Sequence, residues 1–398
     1  MFAFQPLNVL QIGLLPIQRC KNQTQKGVPM IHSTIATWLL EGKKVFVRID
    51  GNVPLCEGRI ENDFRLRALL PTLEFLSSKK AQITVATHLG RPSPDKKIST
   101  VPIAQWFSQA GYPNITVLEN LRNDPREKKG DESFAQELAQ GYDFYVNDAW
   151  GVMHRADCSI TKLPLQFPIE CRSIGLLVER ELQALHYLRH KPQRPYIAFL
   201  GGGKSEKIET CLRLIEQELV STLVLLPGIS FTFLKAQGYP IGKSLIDESS
   251  IEMCRTIFDK ARQKKIDLVL PSDYLIGRLN NGETYGSVCD AHRIPDDAIG
   301  LAIGPKTLTQ LKALVEQAAT IFYNGAMGLP SFPASQQPLY ELLEIIAQSS
   351  AYSVVGGGDS VAAVERISLE QNISFCSTGG GSTLAYICQI PLIGLSVF

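Results

Sequence analysis

The stretch Tyr196-Ile-Ala-Phe-Leu-Gly-Gly-Gly-Lys204 decides the fold of this chain. A short apolar run that ends in glycines and precedes a helical pattern is typical of a parallel strand, a tight turn and a covering helix. The same arrangement recurs at Gly356-Gly-Gly-Asp-Ser360 and at Thr378-Gly-Gly-Gly-Ser382. These three turns predict an α/β protein whose glycine loops lie at the carboxyl edge of a sheet.

The glycine turns also indicate a class of ligand. Glycine lets the backbone approach a ligand closely, and a helix N-terminus offers free N–H groups and a partial positive charge, so the construction suits phosphate. One such turn is as often a packing feature, but three in one half of a chain favour phosphate binding. None matches the Walker or the dinucleotide-binding glycine pattern, which disfavours those folds.

Charged residues beside the turns are candidates for the same site. Lys204 and Lys207 predict point charges for phosphate oxygens, with solvated surface lysines as the alternative. Asp359 predicts either a helix N-cap or a ligand of the Mg²⁺ that accompanies a nucleotide.

Apolar, β-branched runs recur along the chain with amphipathic stretches between them. We predict strands at 44–49, 82–86, 143–146, 196–200, 223–226, 267–270, 320–323 and 352–355. This is enough for two parallel sheets, and functional loops in such folds follow the carboxyl ends of the strands.

The length of 398 residues predicts two lobes, because a single hydrophobic core rarely grows so large. The helical pattern at 176–194 divides the chain nearly in half and is interpreted as a connector. We expect a first lobe at 30–178 joined by the tail 383–398, a connector helix at 179–194, and a second lobe at 195–382. Residues 1–29 lack a charged n-region, so a disordered leader or a start assigned too early is expected rather than a signal peptide.

Composition excludes several classes of protein. Hydrophobic residues make up 44% and charged residues 20%, as in globular proteins. The 40 Lys and Arg nearly cancel the 39 Asp and Glu, so neither nucleic acid nor an anionic membrane is an expected partner. No apolar run reaches the roughly 18 residues that span a bilayer. The nine cysteines lack zinc spacing, which predicts reduced, buried thiols in a cytoplasmic protein.

Basic side chains follow the predicted strands of the first half. They predict a pocket for a small, multiply anionic substrate, because guanidinium groups bind carboxylate and phosphate in a bidentate manner. For any single arginine, a surface ion pair is the alternative. The candidates are Arg65, Arg91, Arg122, Arg155, His88 and His154.

A set of motifs spanning roughly 42–398 resembles the phosphoglycerate kinase family. The motifs, in the family's order, are Val47-Arg-Ile-Asp-Gly-Asn-Val-Pro54, His88-Leu-Gly-Arg-Pro92, Leu118-Glu-Asn-Leu-Arg122, Tyr145-Val-Asn-Asp-Ala149, His154-Arg-Ala156, Ile303-Gly-Pro-Lys-Thr307, Asn324-Gly-Ala-Met-Gly328, Gly356-Gly-Gly-Asp-Ser360 and Ser377-Thr-Gly-Gly-Gly381.

The resemblance implies a monomeric enzyme of glycolysis with two Rossmann-like lobes. It implies reversible phosphoryl transfer from 1,3-bisphosphoglycerate to ADP with Mg²⁺, which gives 3-phosphoglycerate and ATP. The implied triose-acid residues are Asp50, Asn52, Arg65, His88, Leu89, Gly90, Arg91, Arg122 and Arg155. The implied nucleotide residues are Gly201, Gly202, Lys204, Lys207, Asn324, Gly357, Gly358, Asp359 (through Mg²⁺) and Ser360.

The resemblance also assigns roles in catalysis. Arg65 and Lys204 are expected to stabilise the transferring group, beside the backbone of Gly379 and Gly380. Direct attack by a substrate oxygen needs no protein nucleophile, only alignment and charge stabilisation. The lobes must close to exclude water, with the connector in the hinge and the tail returning to the first lobe. The alternative is a non-catalytic relative that binds a ligand or a partner protein.

Departures from the family pattern fall on the nucleotide side. Lys204 and Lys207 are three positions apart where the family has four, although both spacings leave the side chains on one helix face. The Gly-rich, adenine-side segment of the family appears here as Leu226-Pro-Gly-Ile-Ser-Phe-Thr-Phe-Leu234. Ala302 stands where the family has an aspartate, and Ser331 stands where it has the glutamate that meets the ribose. We therefore expect weakened or altered nucleotide recognition.

Overall fold

Two parallel sheets, each covered by helices, form the framework of the molecule. The computed structural model describes residues 34–93, 95–280 and 283–398, so the expected leader at 1–29 lies outside the described residues. The two-sheet α/β architecture confirms the predicted fold class.

The first sheet is built from residues before the connector, in the strand order β5-β4-β1-β6-β7. Its central strand, β1, pairs in parallel with β4 and with β6 and is buried over all but its first residue, as expected for a strand covered on both faces. The elements are β1 (Lys44–Ile49), β2 (Leu55–Cys56), β3 (Arg59–Ile60), α1 (Phe64–Ser78), β4 (Gln82–Ala86), α2 (Val101–Gln109), β5 (Thr116–Val117), α3 (Arg126–Lys129), α4 (Glu132–Ala139), β6 (Phe144–Asp148), α5 (Cys158–Thr161), β7 (Arg172–Ile174) and α6 (Leu176–His190).

The second sheet has the order β10-β9-β8-β14-β15-β16, and a smaller antiparallel sheet, β12-β11-β13, lies beside it. The elements are β8 (Tyr196–Gly202), α7 (Glu206–Glu216), β9 (Thr222–Gly228), α8 (Ile229–Ala236), α9 (Ile251–Lys264), β10 (Asp267–Val269), β11 (Asp273–Asn280), β12 (Glu283–Asp290), β13 (Ile299–Ile303), α10 (Pro305–Gln317), β14 (Thr320–Asn324), α11 (Gln337–Gln348), β15 (Tyr352–Gly356), α12 (Gly358–Arg366), β16 (Phe375–Ser377) and α13 (Gly381–Ile387).

Helix α6 lies between the two sheets in the chain, at the predicted connector, and ends at His190. One apolar cluster contains its Leu182 and Leu185 together with Tyr145 of β6 and Ala198 of β8. The helix therefore packs into a core that both sheets share.

The end of the chain lies against the first sheet. The N–H of Gly394 donates to the carbonyl of Met153 at 2.9 Å, and the ring of Phe398 stacks on Tyr145 at 6.3 Å between centroids. Since Phe398 follows the second sheet by many residues, the chain crosses from one sheet to the other a second time.

Among the described residues no helix is both long and apolar enough to cross a membrane. The cysteines of that part of the chain are free thiols, and four of them are buried as expected. The expectation is wrong for Cys56, which is exposed on the short strand β2, and is met only in part by the half-buried Cys171, Cys289 and Cys376.

Candidate active site

A cleft of about 740 Å³ opens between the carboxyl edges of the two sheets. It is lined from the first-sheet side by Asp50, Asn52, Arg65, His88, Arg91 and Arg155, and from the second-sheet side by Gly202, Lys204, Lys207, Asn324, Gly357, Gly358, Asp359, Ser360 and Gly380. Five candidates do not line it, namely Leu89, Gly90, Arg122, Gly201 and Gly379. The structure thus gathers most residues of both predicted half-sites around one space.

The loop after β1 organises the first-sheet side of the cleft. Arg65, in the first turn of α1, lies with Nη1 3.3 Å from Asp50 Oδ2 and donates to the carbonyl of Asn52 at 2.9 Å. The side-chain oxygen of Asn52 in turn accepts the N–H of Gly90 at 2.8 Å. Burial opposes ionisation of Asp50, but the charges of Arg65 and Arg48 and the N–H of Asn52 hold its pKa below the usual value. An ionised carboxylate therefore fixes the position of Arg65.

His88 is a neutral side chain at the floor of this region. Its Nδ1 lies 3.9 Å from Asp50 Oδ1 and 3.5 Å from Arg48 Nη2. Burial lowers the pKa of His88 well below its usual value against the opposing charge of Asp50, and the charges of Arg48, Arg122 and Arg155 lower it further. The ring can therefore donate or accept a hydrogen bond but adds no charge to the pocket.

The arginines of the first half divide into two groups. Arg122 is held by Asp157, with Nη2 3.4 Å from Oδ2, and by the carbonyl of Gly90 at 3.5 Å from Nη1. Arg91 and Arg155 are exposed and line the cleft, and within the described part of the chain neither has an ion-pair partner. The free positive charge on this side therefore belongs to Arg91 and Arg155.

The two lysines beside the first glycine turn lie in different structural settings. Helix α7 begins only at Glu206, so Lys204 precedes the helix and is exposed to the cleft. Lys207 lies inside the first turn, where Nζ donates to the carbonyls of Gly201 and, at 3.0 Å, of Asn324. The expectation that both side chains share a helix face is wrong, because only one of them is helical. Burial, with the charge of Lys204, lowers the pKa of Lys207 to about 8.

The second glycine turn begins α12 against the end of β14. Gly357 has φ +97°, a left-handed conformation that favours glycine, and its N–H donates to the carbonyl of Gly379 at 3.1 Å. The N-cap position belongs to Gly357, so Asp359 is not the cap and instead lies exposed at the cleft. Asn324 Nδ2 is buried without a hydrogen-bond partner among the described residues. A free donor thus lies beside a helix N-terminus.

The third glycine turn is held by residues from outside its own sheet. His154 Nδ1 lies 2.7 Å from Ser382 Oγ, and Trp150 Nε1 donates to Thr383 Oγ1 at 2.9 Å. Burial and the charge of Arg155 lower the pKa of His154. His154 lines the cleft and was predicted as part of the basic pocket, whereas Trp150 carried no polar signal in the sequence.

Glu181 is a site residue that reasoning from the sequence missed. It is fully buried in α6 and accepts hydrogen bonds from the N–H of Thr378 and the hydroxyl of Ser377, both at 2.7 Å. Burial raises its pKa to about 7. A signal was present, because Glu181 lies four positions after Leu177 and one before Leu182, on the apolar face of the predicted helix.

Comparison with known proteins adds to this geometry. The family model described as phosphoglycerate kinase matches residues 35–111 and 106–388. The chain belongs to the phosphoglycerate kinase family. A phosphoglycerate kinase of Anaeromyxobacter sp. (strain Fw109-5) is 37% identical over 397 residues, covering 92% of this chain and 99% of that protein. One of Clostridium botulinum (strain 657 / Type Ba4) is 36% identical and covers 90% and 96%.

Solved structures agree with the assignment. The structure of phosphoglycerate kinase from Coxiella burnetii is 30% identical, with a TM-score of 0.75, and covers 91% of this chain and 97% of that one. The enzyme from Pyrococcus horikoshii OT3, at 24% identity, has a TM-score of 0.80 and supports the fold. The predicted family and the assignment to the kinases are therefore confirmed.

The departures from the phosphoglycerate kinase pattern have a structural counterpart. The space beside the first glycine turn, between Gly203, Gly228 and Leu245, has a volume of only about 10 Å³. On the other side of the turn, a Cβ built on Gly201 would lie 2.6 Å from Leu226 Cβ, so Leu226 closely covers the strand end. Ala302 is fully buried, and Ser331 is exposed and does not line the cleft.

Proposed function

We propose that this chain catalyses the reversible transfer of a phosphoryl group from 1,3-bisphosphoglycerate to ADP, giving 3-phosphoglycerate and ATP in glycolysis. The observation that carries the proposal is the approach of Arg65 to the second glycine turn, where a Cβ built on Gly358 would lie 3.8 Å from Arg65 Nη2. A guanidinium held by one half-site thus reaches the helix N-terminus of the other. Membership of the phosphoglycerate kinase family supports the same reaction.

The first lobe is proposed to bind the triose acid. Arg91 and Arg155 supply the free charge for its phosphate and carboxylate groups, since neither is neutralised by a described residue. Asp50, Asn52 and neutral His88 supply hydrogen bonds at the base of the pocket. We infer that Arg122 contributes indirectly, by holding the carbonyl of Gly90 and with it the backbone of Leu89 to Arg91.

The second lobe is proposed to bind the nucleotide at the turns that contain Gly201, Gly202, Gly357 and Gly358. The free Nδ2 of Asn324 and the N-terminus of α12 supply donors for phosphate oxygens, with Ser360 beside them. Asp359 is the carboxylate that fits Mg²⁺, because this ion is usually held by one or two protein carboxylates and substrate phosphates.

Catalysis is proposed to rest on alignment and charge. A carboxylate oxygen of the triose acid and the terminal nucleotide phosphate face each other across the cleft, so the phosphoryl group can pass directly between substrates. Arg65 and Lys204 stabilise the equatorial oxygens of the transferring group, and the backbone of Gly379 and Gly380 lies beside that path. Mg²⁺, when bound, neutralises charge on the nucleotide phosphates.

Lobe movement completes the proposal. We propose that two bodies move about α6, which contains most of the connector 179–194. The first body is the lobe 30–178 with the returning tail 383–398, and the second is the lobe 195–382. Closure excludes water that would hydrolyse the acyl phosphate. We infer a cytoplasmic monomer as the working form.

The test is a coupled assay of the full chain with 3-phosphoglycerate and MgATP. Wild-type turnover is expected, and Lys204→Ala is expected to abolish it, whereas Lys312→Ala, which removes an exposed lysine of α10, should leave it unchanged. Wild-type turnover at background would instead support the non-catalytic alternative. Arg65 and Lys204 line opposite sides of the cleft. This favours the enzyme over the non-catalytic alternative, because a protein that only binds a ligand does not need both charges directed at one phosphate group.

The proposal includes weaker recognition of the adenosine part of the nucleotide. The small cavity beside Gly203 and the cover of Leu226 leave little room near the first turn. Ser331, at the position of the family's ribose-binding glutamate, does not line the cleft. Calorimetric titration with ADP, ATP and other nucleoside phosphates tests this. A preference for ADP over GDP of less than about ten-fold is expected, and a strong adenine preference would contradict it.

A further inference from the structure

Glu365 connects the last turn of α12 to the beginning of α1 across the interface between the lobes. Its Oε1 accepts a hydrogen bond from Arg67 Nη2, and its Oε2 accepts one from Asn62 Nδ2 at 2.5 Å. The Glu365 side chain is only 10% exposed. Both oxygens of a nearly buried carboxylate are therefore used by residues of the other lobe, an arrangement we call the α1–α12 lock.

The surroundings of the lock strengthen it. Phe64, the first residue of α1, packs against the apolar cluster of the second sheet that includes Val361 and Val364 of α12. Arg67 is also bound by Asp63, with Nε 2.7 Å from Oδ1, which limits the rotamers open to its guanidinium. An exposed ion pair contributes little, but the carboxylate of Glu365 is nearly buried and uses both oxygens, one for Arg67 and one for Asn62, so it contributes more.

The lock lies on the same two helices that carry the catalytic contact. Arg65 of α1 approaches Gly358 at the N-terminus of α12, and Arg67 meets Glu365 near its C-terminus. The two points are roughly 10 Å apart along α12 at 1.5 Å per residue. Two separated contacts fix the rotation of one helix against the other as well as their distance.

We propose that Glu365 is a positioning residue that, through Arg67 and Asn62, holds Arg65 opposite the glycine turn at 356–360 for phosphoryl transfer. The inference rests on the proposed function, because it gives Arg65 its place in the reaction. Glu365, Arg67 and Asn62 do not line the cleft. Loss of the lock should therefore lower turnover while leaving each half-site able to bind its own substrate.

The test is a double-mutant cycle of Glu365→Ala and Arg67→Met in the full chain, with kcat and the separate Kd values for 3-phosphoglycerate and MgADP as readouts. Each single variant is expected to lower kcat about ten-fold, and the double variant no further than the worse single variant. Both Kd values should change less than about two-fold. Glu365→Gln, which keeps an acceptor, should recover part of the loss.

Glu252→Ala is the matched control, because Glu252 pairs with Arg255 on the exposed face of α9, within one lobe. It should leave kcat unchanged. An unchanged kcat in Glu365→Ala, or losses that multiply in the double variant, would overturn the lock. Wild-type turnover at background would contradict the proposed function instead. In that case small-angle scattering tests the lock independently of activity. Glu365→Ala should enlarge the radius of gyration, and an unchanged radius would overturn the lock.

Discussion

The carboxylate of Glu181 in α6 accepts both the N–H of Thr378, at 2.7 Å, and its hydroxyl, at 2.8 Å. Thr378 begins the third glycine turn, so the connector helix is bonded directly to a turn of the candidate active site. The proposed movement of the lobes about α6 would change this contact or transmit force through it.

Glu181 should make stability depend on pH. Its pKa is raised from 4.5 to about 7 by burial, so the protonated form is favoured in the fold, and stability is lost as pH rises from about 4.5 through about 7. Glu181→Gln has no ionisable carboxyl group at this position, so it should not show this loss, which amounts to about 3 kcal/mol in the free energy of unfolding. Urea unfolding from pH 5 to 8 measures it. Asp148, whose pKa is raised to about 6, is present in both proteins and cancels in the difference. If the free energy of unfolding changed with pH in the same way in the wild type and in Glu181→Gln, the prediction would be contradicted.

Lys207 should take up a proton when nucleotide binds near pH 8. Its pKa is lowered to about 8, and a nearby polyphosphate would raise it again. Calorimetry of MgADP binding in two buffers with different ionisation enthalpies should therefore give different apparent enthalpies. Lys207→Met should make the two enthalpies agree. Buffer-independent binding by the wild type would show that Lys207 does not respond to the nucleotide.

Arg155 and Arg122 should differ in their effect on the triose acid. Arg155 is unpaired within the described residues and faces the cleft, while Arg122 is held by Asp157 and does not line it. Arg155→Met should raise the KM for 3-phosphoglycerate about ten-fold or more, and Arg122→Met by a smaller factor. The KM for MgATP should stay unchanged in both. Equal effects of the two variants would mean that Arg122 binds the substrate directly.

Arg65→Met should lower kcat by about 100-fold or more, because the guanidinium is held between Asp50 and the second glycine turn, on the proposed path of the phosphoryl group. Arg59→Met is the control, since Arg59 is exposed on β3 and does not line the cleft. Steady-state kinetics of both variants measures the difference. A loss confined to the KM for either substrate would place Arg65 in ground-state binding alone.

Much of the fold could be predicted from local patterns. Six of the eight predicted strands lie within observed strands, and 143–146 and 267–270 each extend one residue beyond the observed β6 and β10. They could be found because a buried parallel strand is a continuous apolar run that is visible in the sequence. The hairpin of β11 and β12 was not predicted. Its strands are antiparallel and mixed in polarity, with residues such as Arg278 and Ser287 between apolar ones, so no continuous run marks them.

Contacts between distant residues were the harder part of the site. The glycine turns could be predicted because a strand, three glycines and a helix are consecutive in the chain. Arg67 and Glu365 are 298 positions apart, and nothing local distinguishes them from surface residues. The two lysines of the first turn were misplaced for a similar reason, since the start of α7 at Glu206 depends on packing rather than on their spacing.

Direct transfer of the phosphoryl group between the two half-sites can be measured with labelled 1,3-bisphosphoglycerate. The full chain is mixed with substrate carrying a radioactive acyl phosphate, with and without MgADP, and the label is followed in ATP and in the precipitated protein. We predict rapid labelling of ATP when MgADP is present and no labelled protein in either mixture. Stable label on the protein without MgADP, or no labelled ATP with it, would contradict the account.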